Sequence, residues 1–446
     1  VDVDRNGLVD LFVAHGGDPL QDMLLGGDGL GNFWDVTAVA GLTTQGWLDP
    51  AVIDAAQAHS RAWSSAACDL NGDGNPELMA ASYGRAPNHL WLGVGQAPMV
   101  TFQNHSIASG YAFDDRTDWS DNESARCYCM LTPNAEGCAG VPEPEYIQCN
   151  STADAFRWNH DTDRSLYRLG GNSGTTVCGD VDNDGDMDLL TTEIVHWDVG
   201  SSSDPSELLL NDGAATFSRP GNDVTGLTRT HDIISWNDGD ITAAIFDFDN
   251  DGWQDVYIGS TDYPGARGLL YHQWGPGQFA PVPLEDGIDH TRSHGIAVAD
   301  FDRDGDLDVV VGHSRARCED DCYPTPQVRM FENVSAQGNW VQLTLEGGPY
   351  TNRSAIGARV TVTTPDGVSR TQEVGGGHGH YGIQHDLTLH FGLGANCEAD
   401  VTVRWPDAEL SSQTVKVVSG YRFALTQGED PVVAGTEEET AAEEEE

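Results

Sequence analysis

Asp2-Val-Asp4-Arg-Asn6-Gly7-Leu-Val-Asp10 places three carboxylates, an amide and a glycine within nine residues, and the pattern returns four times. The later copies run Asp69-Leu-Asn71-Gly-Asp73-Gly74-Asn-Pro-Glu77, Asp180-Val-Asp182-Asn-Asp184-Gly185-Asp-Met-Asp188, Asp247-Phe-Asp249-Asn-Asp251-Gly252-Trp-Gln-Asp255 and Asp300-Phe-Asp302-Arg-Asp304-Gly305-Asp-Leu-Asp308. Acids this dense repel one another unless a cation sits among them. A hard ion taking roughly six to eight oxygens at about 2.3–2.6 Å answers that demand, and calcium fits it. The expected ligands are the side chains at positions one, three, five and nine of each copy, and the glycine allows the sharp bend that turns them inward. Five copies predict about five calcium ions.

The elements that hold these loops are strands. An EF-hand would need a bidentate Glu at position twelve and flanking helices, but position twelve is Val13, Ala80, Thr191, Ile258 or Val311. Downstream runs such as Leu307-Asp-Val-Val-Val-Gly312, and upstream runs such as Ile241-Thr-Ala-Ala-Ile-Phe246, are rich in β-formers. Each loop therefore joins two strands. A second phrase follows: Met23 to Phe33, Leu208 to Phe217 and Leu269 to Phe279 each read as a hairpin with a Gly/Asn/Asp turn, closed by a Phe expected to be buried. His89-Leu-Trp-Leu-Gly-Val-Gly95 looks like a degenerate version. Loop-to-loop intervals of 67, 111, 67 and 53 residues accommodate a four-stranded unit, which indicates an all-β protein containing a β-propeller.

These repeats resemble the FG-GAP/VCBS repeats of integrin α-subunit propellers. Asn352-Arg-Ser-Ala-Ile-Gly-Ala-Arg-Val360, Gly375-Gly-Gly-His-Gly-His-Tyr-Gly382, His390-Phe-Gly-Leu-Gly394 and Val401-Thr-Val-Arg-Trp-Pro-Asp407 resemble the ASPIC/UnbV domain. Repeats followed by that domain are the layout of the cartilage acidic protein family, whose Trp-Pro-Asp-Gly has become Trp405-Pro-Asp-Ala408 here. The resemblance implies an integrin-like propeller with seven blades when intact, and a β-sandwich-like second domain. The expected organisation is a propeller over 1–337 with a Cys-rich insert at about 111–165, the ASPIC/UnbV domain over 338–428, and a disordered acidic tail over 429–446.

Net charge is −49 with a single lysine, Lys416, which excludes nucleic acid and polybasic membrane attachment. No apolar run is long enough for a membrane span. Val1 is not a Met and the strand before the first loop is missing, so the sequence reads as part of a longer precursor. Nine cysteines favour an oxidising compartment: extracellular, cell-surface or periplasmic. Cys318 and Cys322 are expected to pair locally. Cys127, Cys129, Cys138 and Cys149 read as two disulfides with the connectivity open, and a zinc site is the alternative. Cys68 and Cys178 read as buried apolar fillers, and Cys397 is unassigned.

His378 and His380, with nearby His385, are the candidates for a transition metal, since alternate residues of a strand share a face. No nucleophile elbow or phosphate-binding loop is present. Asn104, Asn122, Asn150, Asn333 and Asn352 begin N-x-S/T sequons. The function expected is a monomeric recognition or adhesion module for protein or glycan, with calcium structural. The second expectation is a secreted enzyme using the ASPIC/UnbV domain or its His-rich segment.

Overall fold

Four of the five acidic loops sit between the first two strands of an antiparallel sheet, and the first, at residues 2–10, leads into the first strand of its sheet. The computed structural model describes residues 1–16, 21–44, 61–149, 158–261, 263–315, 317–318, 322–325, 327–335 and 338–434. The first sheet contains β1 (Leu11–Val13), β2 (Met23–Gly27) and β3 (Phe33–Asp35). The second is a four-stranded meander of β4 (Ala62–Cys68), β5 (Glu77–Ser82), β6 (His89–Gln96) and β7 (Met99–Asn104). The third comprises β8 (Ser173–Gly179), β9 (Asp188–His196), β10 (Glu207–Asn211) and β11 (Phe217–Ser218). The fourth comprises β12 (Asn237–Phe246), β13 (Asp255–Ser260), β14 (Leu269–Gly275) and β15 (Gln278–Pro281). The fifth holds β16 (Ser293–Ala299), β17 (Asp308–His313) and β18 (Val328–Phe331). The far end of β9 also pairs with β12, Val195 opposite Asp238, which joins the third and fourth sheets.

The sheets are blades of a propeller, and the core lies between them. Leu24 and Leu42 of the first pack on Leu78, Trp91 and Phe102 of the second. Met79 and Leu90 pack on Leu189, Leu209 and Phe217 of the third. Val177 and Leu208 pack on Ala243, Val256 and Ile258 of the fourth, and Tyr257 and Leu270 on Ile296, Val309 and Val311 of the fifth. The His89 segment is a full hairpin strand rather than a degenerate one, paired along its length with β7. Phe217 and Phe279 are buried as expected, whereas Phe33 is exposed because the blade-edge strand β3 has no buried residue.

Residues 111–149 and 158–165 pack beside the third blade around α1 (Glu123–Leu131), capped by the Asn122 side chain on the Ala125 amide. Cys127 pairs with Cys149 and Cys129 with Cys138, which removes the zinc alternative. Cys318 pairs with Cys322. Cys68 and Cys178 are not separate fillers: they form a disulfide between β4 and β8, tying blades two and three. Cys397 is a free, exposed thiol.

The second module is a sandwich of two sheets. One orders β22 (Leu389–Gly394), β19 (Asn339–Glu346), β25 (Tyr421–Thr426) and β26 (Val432–Val433); the other orders β21 (Ser369–Glu373), β20 (Arg359–Thr363), β23 (Glu398–Arg404) and β24 (Ser412–Val418). Val341, Leu343, Val360, Val362, Phe391, Val401, Val403 and Trp405 fill the space between them. Pairing of β26 with β25 carries the module past the expected boundary at 428, and the rest of the expected tail, 435–446, lies outside the described residues. The sequons at Asn104, Asn122 and Asn352 are buried, which makes them poor acceptors; Asn150 lies outside the described residues.

Candidate metal centres

All five loops repeat one backbone design. Position four takes a left-handed φ in Arg5, Gly72, Asn183, Asn250 and Arg303 (54°, 71°, 60°, 62° and 63°). The glycine at position six follows at 85°, 87°, 98°, 91° and 97° in Gly7, Gly74, Gly185, Gly252 and Gly305. Two such residues per loop, only one of them an obligatory glycine, reverse the chain twice and gather the side chains on its concave side. The glycine amide then donates to Oδ2 of the first acid in every copy: Gly7 to Asp2 (3.1 Å), Gly74 to Asp69 (2.9 Å), Gly185 to Asp180 (3.2 Å), Gly252 to Asp247 (2.8 Å) and Gly305 to Asp300 (3.1 Å).

The closing acid does more than the sequence pattern suggests. One oxygen accepts from the amide at position two: Val3 to Asp10, Leu70 to Glu77, Val181 to Asp188, Phe248 to Asp255 and Phe301 to Asp308, at 2.7–3.0 Å. The other accepts from the second strand after the loop, or from just past its end: Gly27, Gly93, Asn211, Gln273 and Asn333 donate to it at 2.7–3.2 Å. Position nine is therefore a clamp between loop and sheet. Each oxygen retains a second lone pair for a cation.

Whether the residues fit a cation is decided by what their remaining oxygens touch. Among the described residues, Oδ1 of Asp69, Asp180, Asp247 and Asp300, the same atom of the same position in four loops, is buried and meets no hydrogen-bond donor. In the first loop Asp2 uses both oxygens, on Asn6 and Gly7, and the orphaned atom is Oδ1 of Asp4. An unpaired buried carboxylate oxygen is costly. A cation held at that position would satisfy the same atom in each of the four loops. Ligand atoms of Asp2, Asp4 and Asp10, of Asp180, Asp182 and Asp184, and of Asp247, Asp249 and Asp255 lie within 4.8 Å of one another. Burial, with repulsion from neighbouring acids, pushes Asp2 and Asp180 up to about 7 and Asp247 up to about 8. Asp188 rises to about 8 mainly through burial, and Asp255 and Glu77 are held well above the usual carboxylate range. The donor set of carboxylates and amides suits calcium.

The second module lies on the loops. Arg404 donates to Asp69 Oδ2 and, at 2.8 Å, to the Gly72 carbonyl; Arg359 reaches the carbonyls of Asp69 and Gly185. Arg370 donates to the Gly252 carbonyl at 3.1 Å, and His390 Nε2 meets Asn250 Oδ1 at 2.5 Å. Gln342 donates to Asp300 Oδ2 at 2.8 Å, and the Trp340 ring covers Gly305. The Tyr350 backbone crosses against Gly7. Nothing local in the sequence announces these contacts, since the three arginines are among 21 in the chain.

The glycine–histidine segment crosses the first strands of three blades. Gly379 donates to the Ser65 carbonyl (2.9 Å), the His380 amide to Thr175 Oγ1 (3.1 Å), and Asp386 to the Val298 carbonyl (3.2 Å), touching the first strands of three blades. The structure brings His378 and His385 together, ring centroids 5.1 Å apart, but turns His380 away to stack on Trp63 and bond its carbonyl at 2.8 Å. His385 Nδ1 accepts the Val298 amide at 3.2 Å, so the neutral ring carries its proton on Nε2 and cannot ligate there. Burial pushes His378 down to about 4 and His385 to about 3, keeping both neutral. The three histidines expected to form one metal site are thus divided between two environments.

A family model described as FG-GAP-like repeat matches residues 247–311, from the fourth loop to the fifth blade. A model described as ASPIC and UnbV matches residues 348–431 of the sandwich. The chain carries an FG-GAP-like repeat and an ASPIC and UnbV module. Cartilage acidic protein 1 of Mus musculus is 26% identical over 182 residues, which cover 39% of this chain and 26% of that protein. The Xenopus tropicalis and Homo sapiens proteins of that name match with the same identity and coverage. The matched stretch spans about a quarter of the length of these relatives. In this chain the ASPIC and UnbV module covers the loops of the FG-GAP-like blades. No helix among the described residues is long and apolar enough to cross a membrane.

Proposed function

We propose that the protein is an extracellular recognition module whose propeller is braced by calcium in its five acidic loops. The observation that carries this reading is the orphaned buried oxygen repeated at the first acid of four loops. The residues that would hold the ions are Asp2, Asp4, Asn6 and Asp10; Asp69, Asn71, Asp73 and Glu77; Asp180, Asp182, Asp184 and Asp188; Asp247, Asp249, Asp251 and Asp255; and Asp300, Asp302, Asp304 and Asp308. Calcium, when bound, supplies positive charge and fixed coordination at each strand connection. The chain's own groups do the rest: glycine amides orient the first acid, the ninth acid clips loop to sheet, and Arg359, Arg370 and Arg404 seat the second module. Four disulfides suit a compartment outside the reducing cytosol. With the loop face covered, contact with a protein or glycan falls to the opposite face and to the Cys-rich insert, because loops on a rigid scaffold carry binding. The module acts as a monomer in this reading.

At tenfold excess over the dissociation constant each ion stabilises the fold by about 1.4 kcal/mol, so five contribute about 7, comparable to the whole stability of a domain. The test is calorimetric melting with calcium and with chelator, together with ion counting on the purified chain. A large drop in melting temperature with about five ions is expected. An unchanged curve would sink the reading, and stoichiometric copper or zinc would favour a metal-dependent enzyme instead.

A further inference from the structure

A second set of buried acids lies away from the loops, where the insert meets the third blade. Glu193 on β9 and Asp204 in the β9–β10 connection are almost wholly buried, 1% and 2% exposed. Glu193 Oε1 accepts from Ser173 Oγ at 2.5 Å, and Asp204 Oδ2 accepts from the Asp114 amide at 3.3 Å. Their other oxygens, Glu193 Oε2 and Asp204 Oδ1, meet no donor among the described residues. Both acids converge on the Gly170–Gly171 turn. A Cβ on Gly171 would lie 2.1 Å from Glu193 Oε2 and 3.0 Å from Asp204 Cβ, and a Cβ on Gly170 would lie 3.7 Å from both Asp204 oxygens. The two glycines therefore leave the space into which the acids point.

Charge around this space does not balance. Glu207 is matched by Arg219 (2.5 Å) and approached by Arg116 (3.5 Å), which also binds Asp114. Four acids, Asp114, Glu193, Asp204 and Glu207, thus face two arginines, leaving two negative charges, and the two acids without an arginine contact are the ones with orphaned oxygens. The nearby Asp240 is already paired with Arg229 at 2.9 Å.

We propose that Glu193 and Asp204 form a further cation site for a hard, oxygen-ligated divalent ion of the calcium class, separate from the five loops. The donors are all oxygens, which selects such an ion over a soft or imidazole-seeking metal. Glu193 lies five residues beyond Asp188 along β9, roughly 17 Å at strand rise, so it cannot share the third loop's ion. The site would fasten the insert. The β9–β10 connection that carries Asp204 also holds α1, through the Glu123 amide on the Asp198 carbonyl (3.0 Å), Asn122 Nδ2 on the Val199 carbonyl (2.9 Å) and the Ser201 amide on Asp121 (2.9 Å).

The competing arrangement is a proton shared between the two acids. Equilibrium dialysis of the full chain against calcium, with ion counting by atomic absorption, separates the two for Glu193→Gln, Asp204→Asn and the unaltered protein. Hydrogen exchange at residues 197–206 is read on the same samples. Each variant is expected to bind one ion fewer than the unaltered chain and to exchange at least tenfold faster in that connection. Equal ion counts in all three proteins overturn the site, because Gln and Asn keep the shape and supply the hydrogen that a shared proton would. The readout is a difference between proteins, so it stands or falls independently of how many ions the five loops take. If Glu193→Gln fails to fold, the comparison with Asp204→Asn decides alone.

Discussion

Replacing both Cys68 and Cys178 by Ser removes the one disulfide that joins two blades, and its effect follows from chain length. The bridge closes a separation of 110 residues, against 22 and 9 for the two bridges of the insert. Loop-closure entropy assigns the long bridge about 5 kcal/mol, and the insert bridges about 3.4 and 2.6. With an unfolding entropy of roughly 2.1 cal/mol/K per residue over a propeller of about 340 residues, 5 kcal/mol shifts the midpoint by about 7 °C. The bridge also sits beside two loops, since Cys68 directly precedes Asp69 and Cys178 is two residues before Asp180. The Ser pair is therefore expected to weaken calcium stabilisation as well, because those two loops lose their fixed relation. Differential scanning calorimetry in saturating calcium and in chelator, on the unaltered chain and the Ser pair, measures both effects. The Cys129→Ser/Cys138→Ser variant is the control and should leave the propeller transition in place. If the Cys68/Cys178 pair melts within a degree of the unaltered chain in saturating calcium, the entropic reasoning is refuted.

Three further outcomes are expected. Asp2, Asp180, Asp188 and Asp247 have folded-state values raised to about 7–8, above an unfolded value of about 3.9, so the metal-free fold binds the extra protons. Its stability should be greatest near pH 4 and fall as pH rises to about 8, while saturating calcium should reverse that slope, as denaturation midpoints across pH would record. The double change Arg359→Ala/Arg404→Ala strips the arginines from Asp69 and should cost the module contact about 2 kcal/mol per charged hydrogen bond lost, read as a separate low-temperature transition in calorimetry; a single unshifted transition would contradict the docking role. Cys397 should give one reactive thiol per chain to a thiol reagent in the native protein, and still one after denaturation without reductant, since the other eight cysteines are bridged.

The loops were legible because their chemistry is local: nine consecutive residues carry the acids, the glycine and the turn. The hairpins behind them were legible for the same reason, and even the weak His89 segment proved to be a strand. The twin role of the ninth acid was not, because the amides it clamps belong to a strand 16 to 25 residues on. Left-handed Arg5 and Arg303 are invisible to a reading that assigns positive φ to glycine. Contacts spanning larger separations left no trace at all. Cys68 and Cys178 looked like strand residues next to loops, which they are, and nothing in their surroundings said that blades two and three bring them together. Arg404 meets Asp69 across 335 residues of chain, and the histidines were grouped by spacing although the fold parts them.

The segment that crosses the first strands of three blades follows them in the chain, which orders events in time. His380 meets Trp63 across 317 residues and Thr175 across 205. At about 5–20 residues per second of synthesis, the segment emerges roughly 10–60 s after the strands it will touch. Blades that form during that interval do so without these contacts and without the arginines above the loops. If the blades form as they emerge, the residues that bridge them arrive last and act as a closing step. Any premature stop between the fifth blade and residue 386 yields blades without the full segment that bridges them.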